Sequence, residues 1–277
     1  MKKNRTYVLI AMMLVLSLLL CACGDAYAEY GTAYNKISAA GGIDANMKAV
    51  LTLDGETKEY TGNFKVDSKN NLLYYEMTAE GNTTTQFSDG SYLYTSRGDE
   101  KTKYSLGGNK PSGTPAANGG GEAPEQGAPE FQTSEFLTEF SSFLEAGKIK
   151  ELGLLDPIPK TAVSKTTKNG DVYTLEVSDS IVQRFVNNMA VNTAGTGDTV
   201  QVKDLKNFSY KATVKNGYVT GTVYSGDVTI VVPASLMSSG AEQEYVVNFT
   251  ITIDFVNPGQ AVTITLPNTD EYREVKY

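Results

Sequence analysis

From Tyr245 to Phe255 every odd position is apolar or aromatic (Tyr245, Val247, Phe249, Ile251, Ile253, Phe255), while Asn248, Thr250, Thr252 and Asp254 hold even ones. A period of two sends alternate side chains to opposite faces, so this stretch predicts a strand with one buried and one solvated side. Met47, Ala49, Leu51 and Leu53 show the same alternation early in the chain, and Val262, Ile264 and Leu266 repeat it late, up to Pro267. Turn residues punctuate the first third at Asp54–Gly55, Asp67 to Asn71, Glu80 to Asn82, Asp89–Gly90 and Gly98–Asp99, which predicts a meander of short strands. Asn169–Gly170 and Asn216–Gly217 mark two further hairpins, and Asn257–Pro258–Gly259 another turn.

Three stretches change to the helical period. Tyr27, Tyr30, Tyr34 and Ile37 fall on one side of a helix from Ala26 to Ala40, stopped by Gly41–Gly42. Phe136, Leu137, Phe140, Phe143 and Leu144 form an aromatic stripe ending at Gly147. A third helix begins near Ser178, with Ile181, Val182, Phe185, Val186 and Met189 along one face. A meandering antiparallel sheet with one apolar face needs a cover, and the three striped helices supply it. The sequence therefore predicts an α+β fold in which helices lie against the apolar face of an antiparallel sheet.

Residues 107–130 hold seven glycines, four prolines and no large apolar side chain. They predict a flexible loop, since such a stretch buries too little surface to offset the entropy of ordering it. The strands before it carry too little apolar mass to stand alone, so the expectation is one domain interrupted by that loop.

The first residues read differently. Lys2, Lys3 and Arg5 precede an apolar run from Tyr7 to Leu20, the charged start and greasy centre of a secretory signal, and the run is short for a spanning helix. Two cleavage patterns compete. Ala26–Tyr27–Ala28 fits ordinary signal peptidase, whereas Leu20–Cys21–Ala22–Cys23 resembles a bacterial lipobox. The lipobox resemblance implies a signal peptide over 1–22 and a diacylglyceryl thioether on Cys23, the residue that follows the small Ala22. That would tether the chain to a membrane from the extracytoplasmic side.

Charge and composition narrow the chemistry. Beyond the signal, 21 Lys+Arg face 32 Asp+Glu, a net charge of about −11, which disfavours nucleic acid as a partner. The chain has two cysteines; with Cys21 removed and Cys23 acylated no disulfide forms. It has no histidine, which removes Ser-His and Cys-His pairs and the commonest general base. No Ser-x-x-Lys, nucleophile elbow or phosphate-binding loop occurs, so no enzyme, cofactor or metal site is expected. Lys69 stands where a calcium loop over Asp67–Asn71 would need an oxygen ligand, and Arg97–Gly98–Asp99 reads as a turn.

The stretch "GNFKVDSKNNLLYYEM", then "FSDGSYLYTS", and the closing "FVNPGQAVTITLP" resemble the LolA/LppX-like bacterial lipoproteins, including a Gram-positive branch. The matching positions are Phe64 to Met77 and Asp89, Gly90, Tyr92 and Tyr94, and the likeness covers most of 26–106 and 200–270. It implies a curved antiparallel sheet, an incomplete barrel, with amphipathic helices on its concave apolar face and an interior that holds acyl chains. The loop at 107–130 departs from the family's compact pattern.

Two readings follow for residues 23–277 taken as one LolA/LppX-like domain. In the first, the membrane-anchored chain binds or transfers a lipid or other hydrophobic ligand, in a pocket lined by Phe136, Leu137, Phe140, Phe143, Ile181, Phe185, Met189, Phe249 and Ile251. In the second, those side chains are ordinary core, and the chain is a non-enzymatic surface sensor or scaffold whose protein partner the sequence does not identify.

Overall fold

The computed structural model describes residues 25–106, 137, 154–188, 191–192, 199–237 and 239–275. Helix α1 (Ala26–Ala39) starts where the Asp25 side chain accepts a hydrogen bond from the Tyr27 amide at 3.0 Å. It ends as Gly41 takes a left-handed φ of 80°. Strands β1 (Gly42–Leu53), β2 (Glu56–Asp67), β3 (Leu72–Ala79), β4 (Asn82–Ser88), β5 (Tyr92–Arg97) and β6 (Glu100–Ser105) follow as an antiparallel meander. Asp54 (φ 51°) and Gly55 (φ 82°) make the first tight turn, whose twist suits the strands it joins.

The second half begins with β7 (Val163–Asn169) and β8 (Val172–Val177), then helix α2 (Asp179–Asn188), β9 (Val191–Asn192), β10 (Thr199–Lys215), β11 (Tyr218–Val232), β12 (Gln243–Phe255) and β13 (Arg273–Glu274). All these strands join one open sheet in the order β13-β6-β5-β4-β3-β2-β1-β12-β11-β10-β8-β7, with β9 paired to β10 off that path. The pairing of β1 with β12, from Ala45↔Phe255 to Thr52↔Asn248, joins the two halves. Every ladder is antiparallel except β13 on β6.

The expected alternation is seen in β1, where Ala45, Met47, Ala49, Leu51 and Leu53 are buried, and in β12, where Val247, Phe249, Ile251, Ile253 and Phe255 are. Both sets point to one face, here the front. Gly226 on β11 belongs to that face because a side chain there would sit 2.9–3.0 Å from Leu205 and the Phe249 ring. Helix α1 packs Tyr30, Ala33, Tyr34 and Ile37 into the front core beside β11 and β1, and α2 lies against β10.

The hairpin expected at Asn216–Gly217 forms, while the strand expected over Val262 to Leu266 does not. The hairpin at Asn216–Gly217 joins strands of 17 and 15 residues, longer than β12, and β10 keeps its length by irregularities at Val202/Asp204, Lys206/Ser209 and Thr213/Val214. These interrupt the period of two and hide the strand from pattern reading. Residues 262–266 form no strand, although Val262, Ile264 and Leu266 are half-buried and their neighbours exposed. They lie on the back of the sheet and cross its strands. Val262 sits over Gly42 of β1, Leu266 packs on a cluster of Phe87, Tyr94 and Tyr272, and β13 then pairs with β6. Crossing the strands explains the alternation without a ladder.

The helix expected over 136–147 lies outside the described residues except for Leu137, which is helical and buried. The loop expected over 107–130 lies outside them altogether. The Arg97–Gly98–Asp99 tripeptide is the β5–β6 turn.

Candidate ligand-binding face

Residues paired directly across the strands form a lateral row on the front: Ala79 on β3, Tyr60 on β2, Ala49 on β1, Ile251 on β12, Tyr224 on β11, Tyr210 on β10 and Leu175 on β8. At about 4.8 Å per strand, Tyr60 and Tyr210 stand about 19 Å apart. Helix α1 lowers Tyr27, Tyr30 and Tyr34 onto the same row from above. Tyr30 meets Tyr34, Tyr210 and Tyr27 edge to face at 5.8, 6.0 and 5.7 Å, Tyr210 meets Tyr224 at 4.9 Å, and Tyr34 meets Phe255 at 5.8 Å. Edge-to-face contacts suit the ring quadrupoles and add to the burial of these large side chains.

A hydroxyl withdrawn from water needs a partner, and Tyr27, Tyr30 and Tyr224 find theirs in the main chain of residues 154–158, which has no regular structure, while Tyr60 finds its own in Leu137. Tyr224 donates to the Leu154 carbonyl at 3.1 Å, Tyr27 to the Ile158 carbonyl at 2.7 Å and Tyr60 to the Leu137 carbonyl at 2.9 Å. Tyr30 accepts from the Ile158 amide at 3.1 Å and shares a proton with Tyr210 at 3.0 Å. Leu137, Leu154 and Ile158 are buried in the same core as the rings. Among the described residues the Tyr34 hydroxyl, Thr166 Oγ1 and Thr222 Oγ1 are buried without a partner. Burial pushes the Tyr30 phenol up to about 12 and those of Tyr34 and Tyr210 well above their usual value, so all three are neutral donors at physiological pH.

Four of the residues singled out from the sequence come together here. Leu137, Ile181, Phe249 and Ile251 are buried in one continuous cluster with the tyrosines, so in this part of the face the interior is filled by the chain's own side chains. Phe136, Phe140, Phe143 and Met189 lie outside the described residues, as does Cys23; Phe185 falls in α2. Sequence reasoning placed Tyr27, Tyr30 and Tyr34 on a helix packed on the sheet, and missed that their hydroxyls meet Leu154 and Ile158, residues with no periodic signal.

A groove of about 550 Å³ lies outside this core, between α1 and the β8–β10 side, lined by Ala28, Thr32, Ala33, Val214 and Gly217 with Asp25, Glu29, Lys36 and Tyr173. Hydrogen bonds from Lys168 and Tyr173 hold the Glu29 carboxyl below the usual carboxylate range. They tie α1 to the β7–β8 hairpin.

No family model matches the chain, and no curated protein does. Among solved structures it is similar to the lipoprotein LppX of Mycobacterium tuberculosis, at 8% identity over 87% of this chain and 98% of that one, with a TM-score of 0.38. LprF from Mycobacterium bovis matches at 9% identity over 88% and 97%, TM-score 0.32. A LolA superfamily protein from Nitrosomonas europaea matches at 8% over 82% and 92%, TM-score 0.24.

Proposed function

We propose that the chain is an extracytoplasmic lipoprotein, anchored to the cell membrane through a lipid on Cys23, that binds or transfers a lipid or other hydrophobic ligand against the front of its sheet. On this reading residues 23–277 form one domain, the helices cover a concave apolar face, the Gly/Pro-rich stretch 107–130 links its parts, and there is no enzymatic activity. The observation that carries the reading is the front face itself. Its apolar side runs without a break from β2 through β1, β12, β11 and β10 to β8, and what lies on it comes from outside the sheet. Burying a methylene contributes about 0.8 kcal/mol, so a long acyl chain received there gains on the order of 10 kcal/mol before the costs of binding.

The test is native mass spectrometry of the Cys23→Ala chain after gentle extraction from cells, with co-bound lipid expected. Only the bare polypeptide, in every preparation and after incubation with lipid vesicles, would refute the proposal.

The packed state of Leu137, Ile181, Phe249 and Ile251 favours a second reading, in which the core is permanently filled and the chain is a surface sensor or scaffold for a protein partner.

A further inference from the structure

The segment that lies on the tyrosine row has an unusual chemistry. In "LLDPIP", residues 154–159, Pro157 and Pro159 have no amide proton, so the stretch offers more carbonyl acceptors than amide donors. It cannot extend a strand ladder, and it adopts none. Its Leu154 and Ile158 side chains enter the core while the carbonyls of the same residues sit on the hydroxyls of Tyr224 and Tyr27. Leu137 repeats the arrangement on Tyr60. An apolar chain joined to a carbonyl acceptor, with no donor to satisfy, describes an acyl ester. The hydroxyl of Tyr34, one helical turn from Tyr30 and wholly buried, has no partner among the described residues and is a donor left over.

We infer that the hydroxyls of Tyr27, Tyr224 and Tyr34 form a carbonyl-recognition site for the ester groups of an acylated ligand, and that residues 154–158 occupy it as an internal substitute which the ligand displaces. The inference rests on the lipid-binding reading and gives it a ligand class and a site. Leu154 and Ile158 leave with their carbonyls, so one movement frees both the hydroxyls and the apolar surface beneath. The ester then restores the hydrogen bonds that the Leu154 and Ile158 carbonyls accept, though not the one that the Ile158 amide gives to Tyr30, and Tyr34 gains a partner that it does not have among the described residues. An alkane of equal length fills the apolar surface and leaves the buried hydroxyls of Tyr224 and Tyr34 and the half-buried one of Tyr27 unmatched.

The experiment uses the Cys23→Ala chain and two fluorescent probes, the methyl ester of pyrenedodecanoic acid and dodecylpyrene, with hydrogen exchange read over 154–162 in the presence of each. The ester should bind about five- to tenfold more tightly than the alkane and should speed exchange at Ile158. Tyr224→Phe and Tyr34→Phe should each lower ester affinity severalfold and leave alkane affinity unchanged. Tyr94→Phe, whose hydroxyl donates to Asp89 at 2.8 Å on the back of the sheet, should alter neither. Equal affinities for the two probes in the parent chain, or ester binding with undiminished protection at 154–158, would overturn the inference and leave the lipid-binding reading standing. Failure of both probes to bind would overturn the two together.

Discussion

Tyr30 and Tyr34 lie one turn apart on the same face of α1, are equally buried, and should respond to loss of the hydroxyl with opposite signs. Tyr30→Phe removes a hydroxyl shared with Tyr210 at 3.0 Å and the acceptor for the Ile158 amide at 3.1 Å. Both partners are buried, and each left unmatched costs about 1–3 kcal/mol, so the substitution should destabilise the fold by about 2 kcal/mol or more. Tyr34→Phe removes a hydroxyl that has no partner among the described residues, and the cost of burying that group disappears with it. The ring contacts with Tyr30 and Phe255 remain. The expected change is a gain of about 1 kcal/mol. Urea unfolding of the Cys23→Ala chain and of each variant in that background, followed by far-UV circular dichroism, resolves a difference of this size at constant m value. A loss of 1 kcal/mol or more in Tyr34→Phe would show that its hydroxyl is bonded in the folded protein. The reasoning about an unoccupied donor would then fail.

The anchor is tested by Cys23→Ala in cells, which should move the protein from the membrane fraction to the medium; an unchanged distribution removes the case for lipidation. Alkaline titration should reveal the tyrosine core. Unfolded tyrosines lose their protons near pH 10 while Tyr30 holds its own to about 12, so the unfolded state binds fewer protons above pH 10 and stability falls from there upward. Tyrosinate absorbance should therefore rise together with loss of circular dichroism, whereas smooth ionisation near pH 10 in an intact fold would contradict the burial. On the back of the sheet, Tyr272→Ala removes a ring 5.5 Å from Phe87 and 5.3 Å from Tyr94. It should cost about 3–5 kcal/mol and raise hydrogen exchange over residues 262–274 while protection across the front tyrosines persists.

How much of this was visible in the sequence depends on the range of the interaction. The alternation in β12 and the three-four-three spacing of Tyr27, Tyr30, Tyr34 and Ile37 are local, and both elements formed as their periods required. Val262, Ile264 and Leu266 show the limit of the same signal, because alternation reports which side is buried and not what the backbone pairs with. In β10 the irregularities at Val202/Asp204 and Lys206/Ser209 move the apolar positions out of step, and no period was there to be read. The tyrosine row is a matter of register among strands from both halves of the chain, and no short window contains Tyr60, Ile251 and Tyr224 together. Leu154 and Ile158 offered two apolar residues among prolines, a pattern that fits many turns. Their role became legible only once the hydroxyl partners were in place.

The β1–β12 seam has a consequence for how the molecule is made. Residues 45–52 have to wait for residues 248–255 before their open side is paired, a separation of about three-quarters of the polypeptide's length. During synthesis the leading six-strand meander therefore presents β1 as a bare margin, with Leu51 and Ala49 beside unpaired amides and carbonyls, for as long as the remainder takes to emerge. Such margins recruit other copies, and contacts of so great a sequence separation form slowly. Shortening the chain before Gln243 should accordingly yield insoluble aggregates in place of a smaller soluble body.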